Sequence, residues 1–223
     1  MWQALYDSPW HHPAVAWLAV TLGAFALASR QRFLVGYLIL FGLEMVADAL
    51  ASAPFTHLPS GAATVLAVAF VIAGDFRLFL LAERCVSRDR LTWGGALRAL
   101  GLSLIVPVGS SVIRLLVPAV SATGRLQYLA YEGLFVVLAL AMRFVVLPRR
   151  LADREPETRR WALDATTFVL VQYVFWVLAD LLLLGGFAPA YALRIVPNIM
   201  YYALFLPFVY VRAPRRERAV ANA

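Results

Sequence analysis

Ten ionisable residues stand inside strongly apolar stretches of this sequence, and whatever chemistry the chain performs has to start from them. Arg143 and Asp164 fall near the ends of their stretches, where a side chain can snorkel to water. Eight lie deeper: Glu44, Asp48, Asp75, Arg77, Arg114, Glu132, Asp180 and Arg194. At about 2.5–3.5 kcal/mol each on insertion scales, eight lipid-exposed charges would cost on the order of 20 kcal/mol. The net stability of a domain is about 5–15 kcal/mol. Most of these groups must therefore be paired, hydrated or protonated within a bundle, where they either lock helices together or handle an ion, a proton or a polar solute.

Helical spacing groups them with other polar side chains. Glu44 and Asp48 are four apart and share a face, as do Tyr128 and Glu132. Tyr173, Trp176 and Asp180 follow at steps of three and four, and so do Arg194, Asn198 and Tyr201 or Tyr202. Pro107, Ser110, Ser111 and Arg114 form a small polar face. Pro197 removes a backbone donor and frees a carbonyl, which a membrane helix tolerates where it lines a cavity. Asp48, Arg114, Glu132, Asp180 and Arg194 fall at one depth, with Glu44 nearer mid-membrane. The expectation is a wet polar cavity in the outer half of a bundle. Its ligand-binding residues would be Glu44, Asp48, Arg114, Tyr128, Glu132, Tyr173, Trp176, Asp180, Arg194, Asn198 and Tyr201. The same residues also permit a buried ion-pair network, Arg114 with Glu132 and Arg194 with Asp180. Four acids against two arginines in that layer leave two carboxylates over, to be protonated or to hold a cation or proton.

Asp75 and Arg77 stand apart in the inner half of their span. Two residues apart they do not face each other, so Arg77 is expected to snorkel inward and Asp75 to cap or pair with another helix. Gly74-Asp75 is similar to the end of the Gly-x-Gly-Asp signature of intramembrane aspartyl proteases. Ile72 stands where the first glycine belongs and no second Tyr-Asp appears, so no protease is inferred. His11, His12 and His57 are expected outside the membrane and solvated, with no metal bound. Cys85 is the one cysteine and is expected in a cytoplasmic loop, which leaves no disulfide framework. All 20 basic residues are arginine. Without lysine, no Schiff base to retinal or pyridoxal phosphate can form. No nucleophile or metal motif stands in the apolar stretches, so neither an enzyme nor a cofactor is expected.

The elements that must position these groups are membrane helices. The chain is 62% hydrophobic and 15% charged, with a net charge of +7. A soluble domain carries about 25% charged residues. Each crossing needs about 20 apolar residues, and seven such spans are read at 13–29, 33–53, 61–83, 97–119, 126–147, 163–185 and 190–211. They form one all-α transmembrane domain over residues 1–223 with no room for a soluble one. The arginines set its orientation. Arg30 and Arg32, then Arg84, Arg88, Arg90 and Arg98, then Arg149, Arg150, Arg154, Arg159 and Arg160, then Arg212, Arg215, Arg216 and Arg218 share one side. Only Arg125 lies between spans on the other. Positive loops stay in the cytoplasm, which puts the amino terminus outside and the carboxyl terminus inside, in a cell inner or plasma membrane. Trp2 and Trp10 suit an outer interfacial belt, Trp93 and Trp161 an inner one. The first span is not a signal peptide, because its basic residues follow the apolar run instead of preceding it. The arginines form no continuous stripe, so nucleic acid is not an expected partner.

Two segments suggest an internal repeat of three helices, a linker helix and three more. Met45-Val46-Ala47-Asp48-Ala49-Leu50 parallels Val177-Leu178-Ala179-Asp180-Leu181-Leu182, each with its aspartate near the outer end of a span. Parallel repeats of this kind occur in transporters. The amino-out, seven-helix layout resembles both microbial rhodopsins and SWEET-type sugar transporters. The missing lysine sets a conventional rhodopsin aside. Val196-Pro197-Asn198-Ile199-Met200-Tyr201-Tyr202 resembles the Pro-Asn segment of SWEET helix 7, whose asparagine faces the sugar, and this resemblance implies that Asn198 contacts substrate. The partner Pro-Asn of helix 3 is missing, since residues 66–73 contain neither residue. The leading expectation is a transporter of a small polar solute, with carboxylates coupling protons or cations. The alternatives are a ligand sensor acting through a cytoplasmic partner, or a non-catalytic subunit of a membrane assembly, with homo-oligomers open to all three.

Overall fold

The computed structural model describes residues 1–8, 18–24, 26, 32–51, 56, 59–87, 90–121 and 123–218. Every regular element among them is helical. After a short amino-terminal helix α1 (Trp2–Tyr6), the chain forms α2 (Arg32–Ala51), α3 (Ser60–Val86), α4 (Trp93–Leu116), α5 (Gly124–Arg150), α6 (Pro156–Leu184) and α7 (Ala190–Arg212). All six long helices are apolar and long enough to cross a membrane. They correspond to the second to seventh predicted spans. The first, residues 13–29, lies mostly outside the described residues, of which 18–24 are helical. Trp10, His11, His12 and His57 also lie outside them.

Local sequence sets the helix ends. The Thr92 hydroxyl accepts from the Gly95 amide at 3.1 Å at the start of α4, and Thr123 does the same for Leu126 at 3.3 Å at the start of α5. Pro156 opens α6, where a missing N–H costs nothing. Gly186, at φ +82°, turns the chain out of α6, a conformation that a side chain would strain.

Consecutive long helices pack side by side and the ring closes where α7 meets α2, while α3 also touches α6 across the middle. These two central helices hold most of the buried polar residues: Asp75, Arg77 and Glu83 on α3, and Thr158, Thr166, Gln172 and Asp180 on α6. At the periphery, α4 shows Leu97, Leu100, Leu104, Ile105, Val108, Val112, Leu115 and Leu116 on its outside. Such a surface exceeds what a water-soluble monomer exposes and matches a helix bathed in lipid.

Two helices contain a wide turn. It spans Met142–Val146 in α5 and Met200–Leu204 in α7. A proline inside a helix clashes with the carbonyl four residues back. Pro148 would meet Phe144 and Pro207 would meet Ala203, each inside one of these turns, so the widening accommodates the proline ring.

The arginine-rich helix ends are tied together. Glu83 is fully buried and accepts from Arg98 (3.2 and 3.0 Å) and from both terminal nitrogens of Arg150, joining α3, α4 and α5. Arg154 donates to the Val86 carbonyl, Arg84 pairs with Glu217 at 2.6 Å, and Arg212 pairs with Asp164 at 2.8 Å. Trp161, expected in an interfacial belt, is instead buried, and its indole donates to the Val209 carbonyl at 2.8 Å. Cys85, expected in a loop, is buried because α3 runs three residues past the predicted end of its span. Arg77 does not snorkel. It is 2% exposed and donates to the Tyr201 carbonyl at 3.1 Å, with its guanidinium 4.1 Å from the Tyr201 ring and 4.5 Å from that of Phe205.

Candidate functional site

Towards the opposite end of the bundle, α2, α3, α5, α6 and α7 surround a cavity of about 230 Å³. Eight of the eleven residues expected at the site line it: Asp48, Tyr128, Glu132, Tyr173, Trp176, Arg194, Asn198 and Tyr201. Ala67, Phe70 and Val71 of α3 form the apolar part of the wall, and Tyr131 and Tyr202 complete it.

Each polar group is held from behind. Asp48 accepts from the Tyr202 hydroxyl at 2.8 Å. The Trp176 indole donates to the Asn198 side-chain oxygen at 3.0 Å, fixing α6 against α7. Arg194 reaches three elements at once. It donates to Asp180 on α6, lies 3.6 Å from a Glu132 oxygen on α5, and gives its Nε proton to the Tyr6 hydroxyl of α1 at 3.1 Å. Its guanidinium also lies 5.7 Å from the Tyr128 ring centre. A guanidinium suits this task because its donors are spread in a rigid plane.

Three expected site residues do not line the cavity. Asp180 is completely buried behind Arg194 and also accepts from Arg125 at 2.7 Å, so it supports the wall instead of facing the space. Arg125, read from the sequence as a lone loop arginine on its side, is thereby part of the same group. Glu44 sits beneath the cavity, near Arg77, Asp48 and Tyr201. Arg114 lies on the exposed side of α4. The polar face expected around it is turned inward on its own backbone, since the Ser110 and Ser111 hydroxyls both donate to the Pro107 carbonyl, at 3.1 and 2.7 Å. Of the two pairings weighed from the sequence, Arg194 meets Asp180. Glu132 is met by Arg194 and not by Arg114.

Asp75, expected to stand apart, joins the cluster through two phenols. Tyr131 and Tyr173 each donate to one of its oxygens, the latter at 2.7 Å. Tyr131 was legible, because it follows Tyr128 by three residues and precedes Phe135 by four on the inward face of α5. Tyr6 was not, because nothing in a short amino-terminal segment announces that it docks on α7. The rings form a continuous chain: Phe135 stacks on Tyr173 at 4.0 Å, Tyr173 meets Trp176 at 5.0 Å, and Trp176 meets Tyr201 at 6.0 Å. Tyr201 forms the floor. A methyl group on Gly74 would come within 2.9 Å of two Tyr201 ring carbons, so only glycine leaves this ring its place.

Glu132 and Asp180 face Arg125 and Arg194, and Arg77 lies near both Glu44 and Asp75. One Glu132 oxygen is buried with no hydrogen-bond partner among them. No group of three histidine, cysteine or acidic side chains in the described residues is placed to hold a metal ion. Chemically the arrangement offers acceptors, rings and a positioned guanidinium. No family model matches the chain, and no match is found among curated proteins or solved structures.

Proposed function

We propose that this is a seven-helix membrane protein, amino terminus outside and carboxyl terminus in the cytoplasm, that binds a small polar solute in the cavity and moves it across the membrane. The observation that carries this reading is the lining itself. Asp48, Glu132, Arg194 and Asn198 converge from three helices on a space walled by aromatic rings, inside helices that are otherwise apolar. Binding sites have this composition, mostly apolar walls with a few convergent polar groups. Polar residues at membrane depth mark solute or ion paths by default. A volume of about 230 Å³ suits a solute smaller than the drug-sized ligands that fill larger pockets of about 300–1,000 Å³. The orientation rests on the arginines that cluster at the far end, and the three-plus-three repeat rests on the parallel between Asp48 and Asp180. Those two aspartates have taken different work, one facing the cavity and the other locking it.

Solute flux into proteoliposomes tests the reading. Asn198→Ala and Trp176→Ala should each lower flux about tenfold or more while the protein stays folded, because each removes a group facing the solute. Undiminished flux in both variants would discard the cavity as the site. Exposed Arg149, Arg159 and Arg160 at the basic end support a second reading, a sensor that passes the binding signal to a cytoplasmic protein. Binding in the cavity with no flux would favour it.

A further inference from the structure

At the basic end, the seam between α6 and α7 carries two hollows that the solute cavity does not use. The first, about 230 Å³, lies between Glu157, Arg160, Trp161 and Asp164 of α6, Arg212 of α7 and Arg215 just beyond it. The second, about 270 Å³, is a groove lined by Thr167, Phe168 and Val171 of α6 and by Met200 and Phe208 of α7. Asp164 and Arg212, paired at 2.8 Å, line both hollows, so the two adjoin. Polarity falls with depth along the seam. On α6, Thr167 lies about 4.5 Å and Val171 about 10 Å beyond Asp164. Arginines stand at the mouth. One turn down, Arg143 of α5 donates from Nε to the Thr167 hydroxyl at 2.8 Å. Below that the Phe168 and Phe208 rings, 4.8 Å apart, give an apolar floor. Three arginines and two carboxylates line the first hollow. Asp164 is matched by Arg212, which leaves Arg160 and Arg215 against Glu157, all three exposed and without an ion pair among the described residues. One positive charge is left over.

We propose that this seam holds one anionic phospholipid. Its phosphate sits among Arg160, Arg212 and Arg215, its ester groups at the level of Thr167 and Arg143, and one acyl chain over Phe168, Val171, Met200 and Phe208. A phosphodiester brings one negative charge to a hollow with one positive charge over, and guanidiniums present planar donors that phosphate oxygens accept. Basic pockets between membrane helices hold anionic head groups in this way. A free phosphate would fill the first hollow and leave the groove bare. A second copy of the chain, or an apolar peptide, would cover the groove and leave the arginines unmet. A molecule with a charged head and a hydrocarbon tail fills both, and a bundle with apolar outer faces is surrounded by such molecules. The proposal rests on the membrane setting and is independent of what the solute cavity binds.

Native mass spectrometry of the detergent-purified full chain, offered equal amounts of phosphatidylglycerol and phosphatidylcholine with the same acyl chains, reads the first lipid bound. Phosphatidylglycerol should be favoured about tenfold. Arg160→Gln combined with Arg215→Gln should bring the ratio close to one, and both side chains are exposed, so the fold should survive. Arg149→Gln combined with Arg159→Gln removes the same charge from exposed arginines that do not line the seam, and should keep the preference. Val171→Trp, which fills the groove, should weaken the phosphatidylglycerol adduct several-fold. A large molar excess of inorganic phosphate should not displace it. The assignment fails if the two lipids bind equally, if the seam pair keeps the preference, or if the control pair loses it as fully. It fails too if Val171→Trp binds like wild type or if phosphate displaces the lipid. A lipid-free dimer in the wild-type spectrum would give the groove to a second copy and overturn it as well.

Discussion

The residues around Arg194 divide into those that face the solute space and those that hold the first group still. Asp180 belongs to the second kind. Replacing a buried ionic partner leaves its mates uncompensated, at a cost of about 3–5 kcal/mol. Asp180→Asn, which takes the carboxylate from Arg125 and leaves Arg194 with Glu132 alone, should therefore lower the thermal midpoint of the solubilised protein markedly. Solute affinity per folded molecule should change less than in Asn198→Ala. A midpoint equal to wild type would remove Asp180 from its supporting role. Gly74 makes the complementary case. Gly74→Ala drives a methyl into the Tyr201 ring, an overpacking that costs about 1–3 kcal/mol. Since that ring is the cavity floor, solute binding should fall together with the midpoint. A Gly74→Ala protein with wild-type stability and binding would show that the ring has room to move. At this scale much of the site was legible: a charge inside an apolar helix is unmistakable, and spacing of three or four gives its companions. Spacing could not tell which side of its own helix faces the bundle. Arg114 and its serines shared a face and a depth with the rest, yet α4 turns that face away, because burial is decided by neighbours that a single helix does not encode.

Among the helices, α7 carries the most unusual backbone. Pro197, the wide turn at Met200–Leu204 and Pro207 occupy one segment, and Asn198, Tyr201 and Tyr202 are displayed from it. A wide turn inserts one extra residue and so rotates everything on one side of it by about 100° relative to the other. Pro207→Ala removes the clash that favours the widening. Binding should fall by more than the thermal midpoint would suggest, because the helix can recover a regular pitch only by turning Asn198 and Tyr201 away from the cavity. Retained binding in Pro207→Ala would show that tertiary packing alone holds the turn. The six long helices themselves were readable from composition, within a few residues at most ends, because lipid demands a continuous apolar run and an internally bonded backbone. The ends that moved most have local causes. α3 continues to Val86 because Glu83 and Cys85 are buried by neighbours, and α6 begins at Pro156, whose missing N–H and fixed φ suit a first turn, ahead of the apolar run.

Across the whole molecule the two ends differ in kind. One is closed by Glu83 with Arg98 and Arg150, by Arg84 with Glu217, and by Arg212 with Asp164. The other holds the cavity and is stitched by α1 through Tyr6. Removing residues 1–8 should loosen Arg194 and weaken binding several-fold, while leaving the ion pairs of the basic end and most of the thermal stability in place. A truncated protein that binds like the full chain would show that Tyr6 adds nothing to the site. The charge pattern placed the arginines at one end and the polar cavity towards the other, but not how the basic end is closed. The arginines at the basic end look like interchangeable lipid anchors in sequence, and only the packing reveals that Arg98 and Arg150 converge on one carboxylate.

That convergence sets a tempo. If the chain is the carrier proposed above, it is a cup with a fastened base, and emptying it downward would mean unfastening Glu83 from two guanidiniums in every cycle. If the knot resists by about 3–5 kcal/mol, it slows the opening by about two to four orders of magnitude. The same fastening would keep ions from slipping through an idle carrier, so speed and tightness would be traded against each other at a single buried carboxylate.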